Sequence, residues 1–337
     1  MYRKLMTAAA IAGIALTAPL APRALAADAP KVVLAPPGFP PIFISIVTFV
    51  ARDQGFFKKY GGDVELRQFD NGTAAARAVV AGDLDASMSS TSLLISQIAN
   101  AGVDLVAIYG FPKPDFQVGT TNPAKATCGD IKGQQVGVDT PGGARSIALK
   151  MILQGGCHMS IDDVQQIALG SNTSQAMIAG QITYGLLHLD DVPEIESRGK
   201  KVAVIKTLLE ADPNAHNLVI VARKDRLAEK RDGYVRMLAG LIAATKFMQD
   251  PKNEETVAKI AEVTGRTHEL ALGALQGYLK YGLWVSDNDG MPQSQMENYI
   301  QEQVKGGNIK EGKTPPTYAQ LVDPTIWRDA NALVAKQ

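Results

Sequence analysis

The strongest constraint on this chain is that it repeats itself. Residues 78–90 (AVVAGDLDASMSS) align without a gap on 176–188 (AMIAGQITYGLLH). Upstream, 64–72 matches 164–172 after a two-residue adjustment, and 33–38 (VLAPPG) echoes 137–142 (GVDTPG). Each match is weak alone, but three in the same order predict two lobes of one build. The length of 337 residues agrees, at roughly 100–200 residues per domain.

Short β-branched runs alternate with helical stretches. Strands are expected at 31–35, 64–69, 86–89 and 105–109, with helices at 42–59, 73–81 and 93–101. In the second half 135–139 reads as a strand and 146–153 as the helix after it. This alternation predicts an α/β fold with largely parallel sheets. After Asn217 a strand at 218–222 leads into amphipathic helices at 232–249, 253–263 and 268–281, with no third copy of the repeat. They read as helices that return to cover the first lobe.

The first 26 residues read as an export signal. Arg3 and Lys4 precede an apolar run to about Leu16, and Ala24-Leu25-Ala26 ends it in a small-x-small cleavage pattern. The run falls short of the roughly 20 apolar residues that span a bilayer. No cysteine precedes Cys128, so no lipid attachment is expected at the cleavage point. The segment holds Arg3, Lys4 and Arg23 and no acid. Removing those three bases from the 34 leaves 31 against 34 acidic residues, a formal charge of −3 on 311 residues. That balance argues against a nucleic-acid binder. Export also makes Cys128 and Cys157 a candidate disulfide. A strand going up and a helix coming down would return both to one edge of the second lobe.

In open parallel sheets, ligands bind where strand ends lead into helix N-termini. Six such loops are rich in Gly, Ser, Thr and Asn: 36–41, 70–73, 89–92, 140–145, 170–174 and 188–191. The candidate ligand residues among them are Asn71, Ser89, Ser90, Thr91, Thr140, Gly142, Gly143, Ala144 and Asn172. Arg145 adds a full positive charge suited to a carboxylate, sulfonate or phosphate. Phe39, Tyr109 and Phe111 are candidate stacking platforms, with Trp284 a weaker one. His188 is either a ligand donor or a structural histidine, and Asp190-Asp191 either holds the hinge or repels the wrong ligand. The chain has no Gly-x-Ser-x-Gly elbow and no His-Glu-x-x-His. No cofactor, metal or catalytic group is expected.

Three segments carry a family likeness: 51–58 (ARDQGFFK) with 64–66 (VEL), 81–86 (AGDLDA), and 130–138 (DIKGQQVGV). They resemble ABC-transporter solute-binding proteins of the nitrate/sulfonate/taurine type, whose domain is shared with thiamine-pyrimidine (NMT1/THI5-like) proteins. The resemblance implies a two-lobed periplasmic-binding-protein fold of type II, each lobe a mostly parallel sheet flanked by helices. Lobe I would take 27–113 and 217–337, lobe II 114–216, with crossovers near 112–123 and 216–218. Phe39, Asn71, Ser90 and Thr91 would face Thr140, Gly143, Arg145 and His188 across the cleft. Thr183 and Tyr184 depart from the family's second A-G-x-x-D-A segment. The implied protein is a periplasmic monomer that hands a small anionic organic solute to an inner-membrane permease and its ATPase. An enzyme of pyrimidine-precursor chemistry and a solute sensor are the alternatives on the same fold.

Overall fold

The computed structural model describes residues 29–336, and the export signal read at 1–26 lies outside them. Ten strands fall into two five-stranded sheets. The first contains β1 (Val32–Ala35), β2 (Val64–Leu66), β3 (Ala86–Ser90), β4 (Leu105–Phe111) and β10 (Leu218–Arg223), in the order β2-β1-β3-β10-β4. The second contains β5 (Gln117–Thr120), β6 (Gln135–Val138), β7 (Gln165–Ala168), β8 (Tyr184–Leu187) and β9 (Ala203–Thr207), in the order β7-β6-β8-β5-β9.

The repeated segments fall on equivalent strands. Those at 33–38 and 137–142 begin within β1 and β6, those at 64–72 and 164–172 cover β2 and β7, and the longest pair ends in β3 and β8. In each sheet these three run parallel in the same order. Beside each triplet lies one antiparallel strand, β10 in the first sheet and β5 in the second. Both are the strands by which the chain enters that sheet from the other one. The repeat explains the parallel triplets, and the exchange of chain between sheets explains the antiparallel insertions.

Strand β10 shows why an unbroken apolar run sits at a sheet centre. Leu218, Ile220 and Ala222 enter one hydrophobic cluster, while Val219 and Val221 enter the cluster on the opposite face. Successive side chains point to opposite faces, so a strand covered on both sides has no polar alternation. The helices Arg231–Gln249 and His268–Tyr281 cover the first face. Gly240 lets the longer of them approach Phe57, since a Cβ there would lie 2.7 Å from the ring.

Local departures from expectation have physical causes. The helix expected over 42–59 divides into Phe43–Ser45, Ile46–Asp53 and Phe56–Lys59, because Gly55 takes the left-handed region (φ 72°). Strands β5 and β9 were not legible: β5 is four residues long and contains Gly119. The passage from the first sheet to the second is therefore 112–116, shorter than the sequence suggests. Cys128 and Cys157 are joined in a disulfide, with 5.4 Å between their Cα atoms. Among the described residues no helix is long and apolar enough to cross a membrane.

Candidate ligand-binding cleft

The parallel strands of both sheets end on one cleft. From the first lobe, Asn71 caps helix Gly72–Ala81 by accepting from the Ala74 amide (2.9 Å), and Ser90 caps Thr91–Ala101 by accepting from Leu93 (3.2 Å). Ser89, Met88, Ile42 and Leu218 complete that wall. From the second lobe come Phe116, Asp139, Ala144, Arg145, Ser171 and His188. The space between them is about 460 Å³ counted out to its solvent-facing mouth. At that mouth the lobes touch directly, where Ser171 Oγ donates to the Asp70 carbonyl at 3.0 Å.

Behind the cleft lies a buried ionic cluster built from three separate stretches of chain. Asp115 stands on the first crossover, with Oδ2 2.9 Å from His188 Nδ1 and 2.5 Å from the Tyr278 hydroxyl. The same hydroxyl is 2.6 Å from Asp190 Oδ1. Arg266 reaches over from the C-terminal helices to pair with Asp190, and with Asp191 and Glu194 at 3.2 Å each. Arg145 is 3.5 Å from Asp191 and donates to the Leu186 carbonyl at 2.5 Å.

Burial opposes every charge in this cluster, and the neighbours decide which acids keep theirs. Burial works against Asp115, but His188, Tyr278 and Arg145 outweigh it and hold its carboxyl below the usual range. Asp191 is likewise held low against burial by Arg145, His188 and Arg266. Burial prevails at Asp190 and Glu194, which are pushed up despite Arg266. The Tyr278 phenol is raised well above its ordinary value by burial and by the two aspartates.

The second crossover is braced separately. His216 Nε2 donates to the Gly290 carbonyl (2.7 Å), so Nδ1 accepts from the Thr91 hydroxyl (2.7 Å). Asn217 Nδ2 donates to the Lys113 carbonyl (3.0 Å) and to Asp115 Oδ1 (3.3 Å), tying one crossover to the other.

The structure therefore sorts the sequence candidates. Asn71, Ser89, Ser90, Ala144, Arg145 and His188 line the cleft, and Asn172 lines its charged end. Gly143 lies just beneath the wall, under Asp139. Thr140 and Gly142 sit on the same loop without lining the space. The Thr91 hydroxyl is taken by the crossover. Tyr109 and Phe111 are a correction: β4 runs two residues further than expected, placing both rings in the first lobe's core. The Tyr109 hydroxyl donates to the Val285 carbonyl. Trp284 is also core, donating to the Ile44 carbonyl at 3.0 Å. Phe39 points outward, 65% exposed. Sequence reasoning missed Asp115, Asp139, Glu194, Arg266 and Tyr278. Arg266 lies in a short loop before a helix, and nothing local connects it to acids some 75 residues earlier. Among the described residues no group of His, Cys, Asp and Glu is arranged to hold a metal.

Comparison with known proteins gives the same architecture. The sequence profile described as NMT1/THI5 like matches residues 43–254. The chain belongs to the NMT1/THI5-like family. Curated relatives of this family member include a putative binding protein of Brucella abortus, 25% identical over 215 residues. That alignment covers 60% of this chain and 62% of the relative, less than two thirds of its length. Among solved structures, the periplasmic nitrate-binding protein of Synechocystis PCC 6803 superimposes with a TM-score of 0.72 at 13% identity, covering 91% of this chain and 89% of the other. The periplasmic aliphatic sulphonate-binding protein of Escherichia coli gives 0.64 at 16% identity, covering 88% and 99%. This NMT1/THI5-like chain thus has the two-lobed, type II periplasmic-binding-protein fold, with sheets flanked by helices.

Proposed function

We propose that this protein is the solute-binding component of an ABC importer and not an enzyme. It works in the periplasm after export, captures a small organic solute between its lobes, and presents it to a membrane permease and its ATPase. The observation that carries this reading is the convergence of six strand-end loops, three from each lobe, on one cleft whose two connections are short and braced. A solute touching both walls favours the closed arrangement, because only there are both sets of contacts made. The lobe division proposed from the sequence, 114–216 against the remainder, gives each lobe one wall.

The wall chemistry suits binding without turnover. Hydroxyl and amide groups of Asn71, Ser89 and Ser90 stand beside the apolar Met88, Leu218 and Phe116. The nitrate- and sulphonate-binding neighbours are named for anions. In this cleft Arg145 already faces Asp191 and the Leu186 carbonyl.

The test is a thermal-shift screen of small organic solutes, with hits followed by small-angle scattering and by chromatography of the recovered compound. A true ligand raises the melting temperature by mass action, leaves the radius of gyration equal or smaller, and is recovered unchanged. Conversion of the compound would contradict the reading in favour of an enzyme.

A further inference from the structure

We infer that the ligand is a small organic cation, an amine or amidine on an apolar body, and that Asp139 is the residue that selects it. This rests on the proposed role of the cleft and names the chemistry of its occupant.

The sequence offers an anion two attractions in the second lobe, the N-terminus of helix Ala144–Met151 and the guanidinium of Arg145. The protein's own carboxylates lie against both. Asp139 lies at the end of β6, and its Oδ1 accepts from the Thr140 amide at 2.8 Å. Its carboxyl group rests against Gly143, the residue that opens the helix. A Cβ on Gly143 would lie 2.6–2.8 Å from all three carboxyl atoms. A glycine there leaves the carboxylate room to sit where an anionic ligand would otherwise settle. Arg145 is held by Asp191 and the Leu186 carbonyl, with its side chain only 6% exposed.

The acids of the wall then differ in their partners. Arg145 faces Asp191, and His188 faces Asp115. Among the described residues Asp139 has no ion pair with any lysine, arginine or histidine. The helix end beside it supplies only about half an elementary charge, so a net negative charge remains in a wall largely closed to water. The Thr140 amide meets only one of its oxygens, and a largely buried carboxylate gains from a cation beside it. A ligand N–H⁺ would supply that partner through a charge-assisted hydrogen bond. Opposite, Met88, Leu218 and Ile42 provide an apolar bed, and Phe116 packs at a tilt against His188 with 4.8 Å between ring centres. These fit the body of the ligand.

The experiment screens the full chain, with its disulfide intact, against a library in two matched halves. One half holds small amines and amidines, including benzylamine and benzamidine. The other holds carboxylates and sulfonates of the same size, including benzoate and benzenesulfonate. Stabilising hits are expected in the first half. Titration calorimetry of Asp139→Asn, which keeps the acceptor for the Thr140 amide, is expected to show at least a tenfold loss for the best amine. Hits confined to the anionic half would overturn the inference and leave the cleft reading standing. An amine affinity unchanged by Asp139→Asn would also overturn it. No hit in either half would overturn both.

Discussion

The Tyr278 hydroxyl and Asp190 Oδ1 meet at 2.6 Å, one from the C-terminal helices of the first lobe and one from the second lobe. The same hydroxyl is 2.5 Å from Asp115 Oδ2. A phenol has one proton to donate, so both contacts are hydrogen bonds only if one carboxyl is itself protonated. Burial pushes Asp190 up, whereas Asp115, despite its burial, is held down by His188 and its other partners. Of the two, Asp115 is the better acceptor for the Tyr278 proton, and Asp190 is the carboxyl more readily protonated.

Tyr278→Phe removes both hydrogen bonds while keeping the ring stacked on Phe43, 5.5 Å away. Leaving buried polar groups without partners costs roughly 1–3 kcal/mol. Urea denaturation is expected to show a lowered midpoint with an unchanged slope, and a midpoint equal to wild type would contradict the hydrogen-bond assignment.

Arg266→Ala strips the cation that pairs with Asp190 and Glu194 and shares Asp191 with Arg145. Breaking a buried ion cluster from one side costs about 3–5 kcal/mol. The expected readouts are that loss of stability and a larger radius of gyration as the lobes part. An unchanged radius at full folding would show that the cluster does not hold the lobes together.

Stability should fall in mild acid because of His216. Burial lowers its pKa to about 4, against about 6.5 for an exposed histidine. Below pH 6.5 the unfolded chain takes up a proton that the folded chain refuses. Stability is therefore full above that pH and declines by about 3 kcal/mol as pH falls to about 4. The lowered acids Asp115 and Asp191 add loss only at lower pH. Asp190 and Glu194, pushed up by burial, act in the opposite sense and gain stability as they protonate. Melting curves of His216→Gln between pH 7 and 4.5 are expected to be flatter than wild type, and parallel curves would exclude His216 as the source.

The Cys128–Cys157 bridge closes a loop with a sequence separation of 29. Loop-closure entropy for that length corresponds to about 3.5 kcal/mol. The double variant Cys128→Ser, Cys157→Ser is expected to melt earlier by that order and to keep its ligand affinity, because neither residue lines the cleft. Loss of binding in the folded variant would place the bridge in the site.

What the sequence disclosed follows the range of its signals. The repeat marks β1, β2 and β3 against β6, β7 and β8 because the same local pattern is used twice. Strand-end loops gave Asn71, Ser90, Arg145 and His188 because capping and charge are visible over a few residues. Strand β5 was too short to show, and that omission stretched the first crossover. Phe111 looked like a loop residue because the end of β4 was misplaced by two positions, and Tyr109 looked like the strand's exposed last residue. Arg266 and Tyr278 were invisible for a different reason: their partners are defined only when the C-terminal helices fold back. Asp139 was read as the last residue of a strand, and only its position over Gly143 gives it a role.

The most direct test of the central claim is hydrogen exchange measured with and without the strongest stabilising compound from the screen. A solute held between the lobes is expected to slow exchange at 71–74 and 89–93 in the first lobe and at 142–147 and 170–173 in the second, together. Protection confined to one lobe, or found away from these loops, would contradict capture in the interlobe cleft.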